Sequence, residues 1–124
     1  MNDALHAIDA YIEAWNEPLV DKRGQILARA MADASTYTDP NTRLDTREGL
    51  ADYIGEVLGR QPGRRIVRTS EVDSHHLVCR FNWRLIKADG TRGAESVDFI
   101  EFAPDGRIQH VTGFFGPLKP ADGG

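Results

Sequence analysis

Cysteine is nearly missing from this chain: Cys79 is the only one among 124 residues, so no intrachain disulfide can form. Long apolar runs are missing too. Nowhere do the roughly 18 unbroken apolar residues of a membrane span occur. The opening MNDALHAIDAYIEAW mixes acids with its apolar residues, unlike the uninterrupted core of a secretory signal. The expectation is a soluble, cytoplasmic protein with no membrane partner. Positive charge is also in deficit, with 15 Lys and Arg against 19 Asp and Glu, a net charge of -4 and a pI of about 5.5. Nucleic-acid binding proteins carry a basic footprint instead, so no nucleic-acid partner is expected. The one basic cluster, Arg60, Arg64, Arg65 and Arg68, reads as the solvated start of a strand, with an anion site as the other reading. There are no repeats or low-complexity tracts.

A chain of this length forms one domain with a real core, without help from disulfides or metal. That domain is placed at 1–118, with 119–124, KPADGG, as a flexible tail. Leu5, Ile8, Tyr11, Ile12 and Trp15 recur at spacings of three and four over residues 4 to 16, so one apolar helical face is predicted there. A second helix, capped by Asp21, is expected to reach about Ala32, burying Ile26, Leu27, Ala30 and Met31. A third, capped by Thr46 or Asp45, carries Leu50, Tyr53, Ile54, Val57 and Leu58 and stops at Gly59 and Pro62.

The period then changes from helical to alternating. Residues 65–72, 76–87, 94–103 and 107–116 are rich in β-branched and aromatic residues, and KADGTRG and APDGR supply turns between the last three. The pattern predicts an α+β fold, three N-terminal helices covering one face of a strongly curved, hairpin-connected antiparallel sheet with a pocket between the layers. Alternation puts Cys79, Phe81, Trp83 and Leu85 on one side of their strand. In the next strand Ser96, Asp98, Ile100 and Phe102 share a face, and Val97 and Phe99 lie opposite. Asp98 therefore stands inward among apolar groups, where an unpaired ionised carboxylate is costly. An outer face carrying Val97 and Phe99 calls for a cover, most economically a second copy in a twofold dimer.

The stretch YTDP, residues 37 to 40, raises a separate question. Proline disfavours the helical region for the residue before it, so Asp39 is a strand-end carboxylate and not a helix-surface charge.

The order of a helix with a tyrosine, a helix, YTDP, a helix, and then VDFIEFAPDGRIQHVTGFFG resembles the NTF2-like superfamily, which includes the SnoaL-like cyclases and the ketosteroid isomerases. The resemblance implies a cystatin-like cone with a deep apolar pocket, and a homodimer through the outer sheet face. Within the superfamily the site residues are most similar to those of ketosteroid isomerases. There an aspartate before proline is the general base, and a first-helix tyrosine and a strand aspartic acid donate to the oxyanion. By position these correspond to Asp39, Tyr11 and Asp98.

What the resemblance implies is a cofactor-free isomerase acting by proton transfer beside a carbonyl, or a SnoaL-like polyketide cyclase. The competing class is a noncatalytic binder of a small apolar or carbonyl-containing ligand. Trp15, Tyr53, Phe81, Trp83, Val111 and Phe115 are the expected substrate-binding wall, and its indoles and phenol suit a smaller or more polar ligand than a steroid. Bland readings stand beside each catalytic residue. Tyr11 is otherwise a core tyrosine, Asp39 otherwise starts a turn, and Asp98 is otherwise paired with a cation or water. His110 points outward unless its strand slips by one residue. His75 and His76 read as an exposed turn, adjacent strand histidines point apart, and no metal site is expected. Cys79 reads as a small core residue and not a nucleophile.

Overall fold

The computed structural model describes residues 2–123, with three helices on one seven-stranded sheet. Helix α1, Asn2–Trp15, buries Ala7, Ile8, Tyr11, Ala14 and Trp15. Leu5, expected on that face, is exposed. Helix α2, Val20–Ala30, turns Ile26, Leu27 and Ala30 inward, but its N-cap is Leu19, which makes no side-chain cap bond. Asp21, the expected cap, instead stands in the first turn, where the helix dipole favours an acid. Helix α3, Arg47–Arg60, starts as expected: Thr46 Oγ1 accepts from Gly49 N at 3.0 Å. Leu50, Ile54 and Val57 are its buried line.

The sheet is larger than the alternation indicated. Strand β1, Met31–Asp39, begins directly after α2, so Met31 is buried as a strand residue and not as the end of a helix. Strand β2 is Thr42–Leu44, β3 Arg65–Arg68, β4 Asp73–His75, β5 Val78–Ile86, β6 Ser96–Phe102 and β7 Ile108–Phe114. They run in the order β2-β1-β7-β6-β5-β3, with β4 also pairing β5. Every pairing is antiparallel except one: β1 lies parallel to β7. The wholly antiparallel, hairpin-connected sheet expected from the alternation is thus corrected to a mixed one. A strand reached after α2 must cross over to pair, and a crossover admits parallel pairing.

The two expected turns, at DG steps, both hold. Gly90 and Gly106 have φ of 89° and 90°, which glycine adopts without a Cβ penalty. At the β4–β5 hairpin His76 and Leu77 take φ of 48° and 66°, and both histidines are exposed as expected. Between helices and sheet lies one core, joining Ile8, Leu27, Leu50, Ile54, Ile100 and Ile108 among others. Cys79 is part of it, and burial, with Asp98 and Asp73 adding, pushes its thiol up to about 12. Arg23 is 3 % exposed, yet its guanidinium donates to the Glu17, Pro18 and Ala51 carbonyls. A cation thereby ties the α1–α2 turn to α3. Of the expected tail, Ala121–Gly123 forms a short 3-10 turn, and Gly124 lies outside the described residues.

Candidate active site

Strand pairing sets the site. Asp98 on β6 stands opposite Gly113 on β7 and Phe81 on β5. On the other side of β7, β1 runs parallel with Thr38 against Thr112, so Asp39 comes level with Gly113. Asp39, Gly113 and Asp98 thus form a row across three neighbouring strands. A Cβ placed on Gly113 would stand 2.8 Å from Asp98 Oδ1 and 3.6 Å from Asp39 Cβ. Glycine here leaves the space into which both acids lean.

Asp39 ends β1, and Pro40 and Asn41 form the two-residue loop to β2, Asp39 pairing with Thr42. Its Oδ1 accepts from the backbone N–H groups of Asn41 at 2.8 Å and Thr42 at 3.1 Å. Asp39 therefore caps a turn and also lines the cavity. The turn that YTDP was read to start is present, and its carboxylate also reaches the cavity. The other carboxylate oxygen, Oδ2, accepts from the Tyr37 hydroxyl at 2.6 Å.

Asp98 is buried, and its Oδ1 accepts from the Trp83 indole N–H at 3.0 Å. Desolvation by burial pushes its carboxyl up to about 7; the Trp83 hydrogen bond opposes that rise and the charge of Asp39 adds to it. Near neutral pH a large share of Asp98 is the neutral acid, a donor and not only an acceptor. Tyr11 is 2 % exposed. Burial first, then the charge of Asp98, hold its phenol well above the ordinary value; the Trp15 indole opposes that rise and the charge of Asp39 adds a smaller one. Tyr37 is raised likewise, by burial, by Tyr11 and by Asp98. Both phenols keep their protons and can donate.

These groups line one cavity, open at its mouth. Tyr11, Asp39 and Asp98 all reach it. Of the six residues expected as the wall, Trp15, Tyr53, Phe81, Trp83 and Phe115 line it. Val111 does not. It is 1 % exposed in the core, paired with Ile100 and Tyr37. Phe115 lies just past β7 and meets Trp83 edge-on at 5.9 Å. His110 stays outside, its Nδ1 2.7 Å from Thr36 Oγ1, as the unslipped register requires.

Tyr37 and Arg64 are among the cavity residues not picked out from the sequence. The signal for Tyr37 was present: it stands two residues before Asp39, and residues i and i+2 of a strand share a face. Arg64 was placed only within a basic cluster. Among the described residues no group of three or more His, Cys, Asp or Glu is arranged to hold a metal ion, and no helix is long and apolar enough to cross a membrane.

Helices over a curved mixed sheet, with a cavity between them, define the NTF2-like fold class, and solved structures agree. A SnoaL-like family protein from Agrobacterium tumefaciens str. C58, named as a candidate isomerase, superposes with a TM-score of 0.87 at 32% identity, covering 94% of this chain and 100% of that one. The chain belongs to the SnoaL-like family of the NTF2-like superfamily. An NTF2-like protein of unknown function from Mesorhizobium loti matches with a TM-score of 0.70 at 17% identity, over 94% of this chain and 93% of that one. A protein from Jannaschia sp. CCS1 named as a candidate SnoaL-like polyketide cyclase matches with a TM-score of 0.66 at 13% identity, over 89% and 85%. These last two show the fold alone. No protein-family model and no curated protein sequence matches the chain.

Proposed function

We propose that this protein is a cofactor-independent enzyme that moves a proton on the carbon beside a carbonyl group, an isomerase of the ketosteroid-isomerase type. The observation that carries this reading is that Asp39 and Asp98, in a row across Gly113, line one cavity together with the Tyr11 phenol. Asp39 is the base. Its Oδ1 is held by two backbone donors, and Oδ2 keeps a second lone pair beyond the one that Tyr37 uses. As Asp39 takes the proton from carbon, charge accumulates on the carbonyl oxygen. Tyr11 and the neutral form of Asp98 donate to that oxyanion, where a water-poor wall strengthens each bond. The protonated Asp39 then returns its proton to a different carbon of the same ligand. No proton is lost in the cycle and no electron is transferred.

A polyketide cyclase reading shares the first step, because aldol closure also begins with an enolate. The two differ in what the enolate attacks. The Jannaschia protein shares only its fold with this chain, and that is all it lends to the second reading. A homodimer through the outer sheet face belongs to either proposal: Phe99 and Phe114 meet edge-on at 6.0 Å on that face and both are exposed. A cytoplasmic location accords with the lone, unpaired Cys79.

The test is exchange and isomerisation together. Wild type and Asp39→Asn are given 3-oxo-Δ5 steroid and smaller β,γ-unsaturated ketones in deuterated water, followed by NMR. Double-bond migration with deuterium uptake, lowered at least about 100-fold in Asp39→Asn, is the expected result. Activity surviving that substitution removes Asp39 from the base role. A bound ketone that never exchanges its α-protons makes the protein a binder.

A further inference from the structure

The donor set described above accounts for Tyr11, Asp39 and Asp98 but leaves one charged wall residue unused. Arg64 lines the same cavity, and its Nε is buried without a hydrogen-bond partner. Among the described residues no carboxylate lies within salt-bridge distance of it. The seven ion pairs formed by other residues do not include it. Its one side-chain bond runs from Nη1 to Gln61 Oε1 at 2.7 Å, on the exposed side. An orphaned buried N–H costs free energy and calls for an acceptor.

The position of Arg64 is built and not incidental. The QPG turn ahead of it bends at Gly63, φ 84°, where a Cβ would meet Ala88 Cβ at 2.8 Å. Two residues on, Ile66 shares the cavity wall with Arg64, and its backbone is clamped on both sides by Asn16: N–H to Oδ1 at 2.7 Å, carbonyl from Nδ2 at 2.9 Å. The start of β3 is thus held between α1 and the loop after β5. Burial lowers the guanidinium pKa, while the nearby Tyr37 and Tyr53 phenols act in the opposite direction.

A guanidinium without a carboxylate partner, in the cavity of a chain with net charge -4, offers a ligand-borne anion a partner. One planar fork fits one planar carboxylate, by two parallel N–H···O bonds. A phosphate dianion would meet one unpaired cation in this cavity, too little positive charge to hold it. From these observations, and resting on the proton-transfer reading above, we propose that Arg64 is a specificity residue. The substrate class is then small oxo-carboxylic acids, the carboxylate on Arg64 and the carbonyl at Tyr11 and Asp98. Arg64 and the Tyr11 and Asp98 donors line the same cavity, so one compact ligand can meet both.

Binding decides the matter independently of catalysis. Titrate 4-oxopentanoate, 5-oxohexanoate, 3-oxocyclohexanecarboxylate and their methyl esters into wild type, Arg64→Met, Arg64→Lys and Arg65→Gln, following Trp83 indole N–H shifts by NMR. The acids are expected to bind about 10- to 100-fold more tightly than the esters. Arg64→Met removes that preference, Arg64→Lys restores part of it, and Arg65→Gln, an exposed neighbour, keeps it. Equal binding of acid and ester overturns the proposal, as does a preference that survives Arg64→Met or falls equally in Arg65→Gln. So does failure of all three acids to bind at millimolar concentration. α-Deuterium exchange in the same samples separates the two readings. Acid preference without exchange sustains Arg64 and removes the enzyme, whereas exchange without acid preference does the reverse.

Discussion

The Tyr37 hydroxyl donates to Asp39 Oδ2 at 2.6 Å, from two residues earlier on the same strand face. This phenol orients the carboxylate from the side that the turn amides leave free. Tyr37→Phe deletes one bond to a charged group and is expected to lower stability by about 2 kcal/mol. Urea unfolding checks it through a lower midpoint at unchanged slope.

Asp98 makes stability depend on pH. Its carboxyl is raised to about 7 by burial, above the ordinary aspartate value near 3.9 of the unfolded chain. Between those values the folded state holds the extra proton, so this contribution is complete below about pH 4 and lost as pH rises through 7. Wild type is therefore expected to be less stable at pH 8 than at pH 5, with on the order of 3 kcal/mol from this group. Asp98→Asn removes that part of the slope while keeping an acceptor for Trp83. Denaturant midpoints at the two pH values test both statements. Catalytic rate is expected to fall over the same window, as the donor ionises.

Gly113→Ala forces a methyl to 2.8 Å from Asp98 Oδ1. Asp98 cannot swing away without breaking its bond to Trp83. The expected cost is about 1 to 3 kcal/mol, the usual range for overpacking, together with a displaced Trp83 indole N–H resonance. An unmoved resonance with unchanged stability would show that the row has more room than the distances imply.

Arg23→Met leaves three backbone carbonyls without their donor. Loss on the order of 3 kcal/mol is expected, or roughly 10 °C in Tm for a chain of this size. Gly55→Ala approaches the same clamp from the other side, since its Cβ would meet Arg23 Nη1 at 2.7 Å. Thermal unfolding of the two single variants and the double variant should show non-additive losses, because both act on one guanidinium.

Phe99→Glu places a charge in the exposed aromatic pair with Phe114. If two copies meet there, sedimentation equilibrium will show dimer for wild type and monomer for the variant. A monomeric wild type removes the dimer from the proposal.

The helices were legible because their apolar residues recur at helical spacing and because Thr46 carries a capping side chain. Inward placement of Asp98 followed from alternation in β6, whose burial runs strictly in and out. Strand β1 was not legible. Its burial pattern is irregular, and its register against β7 shifts between Met31 and Thr36. A bulge breaks the period of two on which a strand is recognised. Val111 was drawn into the cavity wall because its parity was right, but parity separates inward from outward and does not separate a cavity wall from packed core.

Local periodicity, turn chemistry and the proline after Asp39 were enough to determine the helices, most strands and a strand-end carboxylate. They depend only on neighbours along the chain. The parallel pairing of β1 with β7, the glycine between two acids, and the place of Arg64 in their cavity were decided by tertiary structure. Each brings together groups far apart in sequence, and no local pattern records which strand will lie against which.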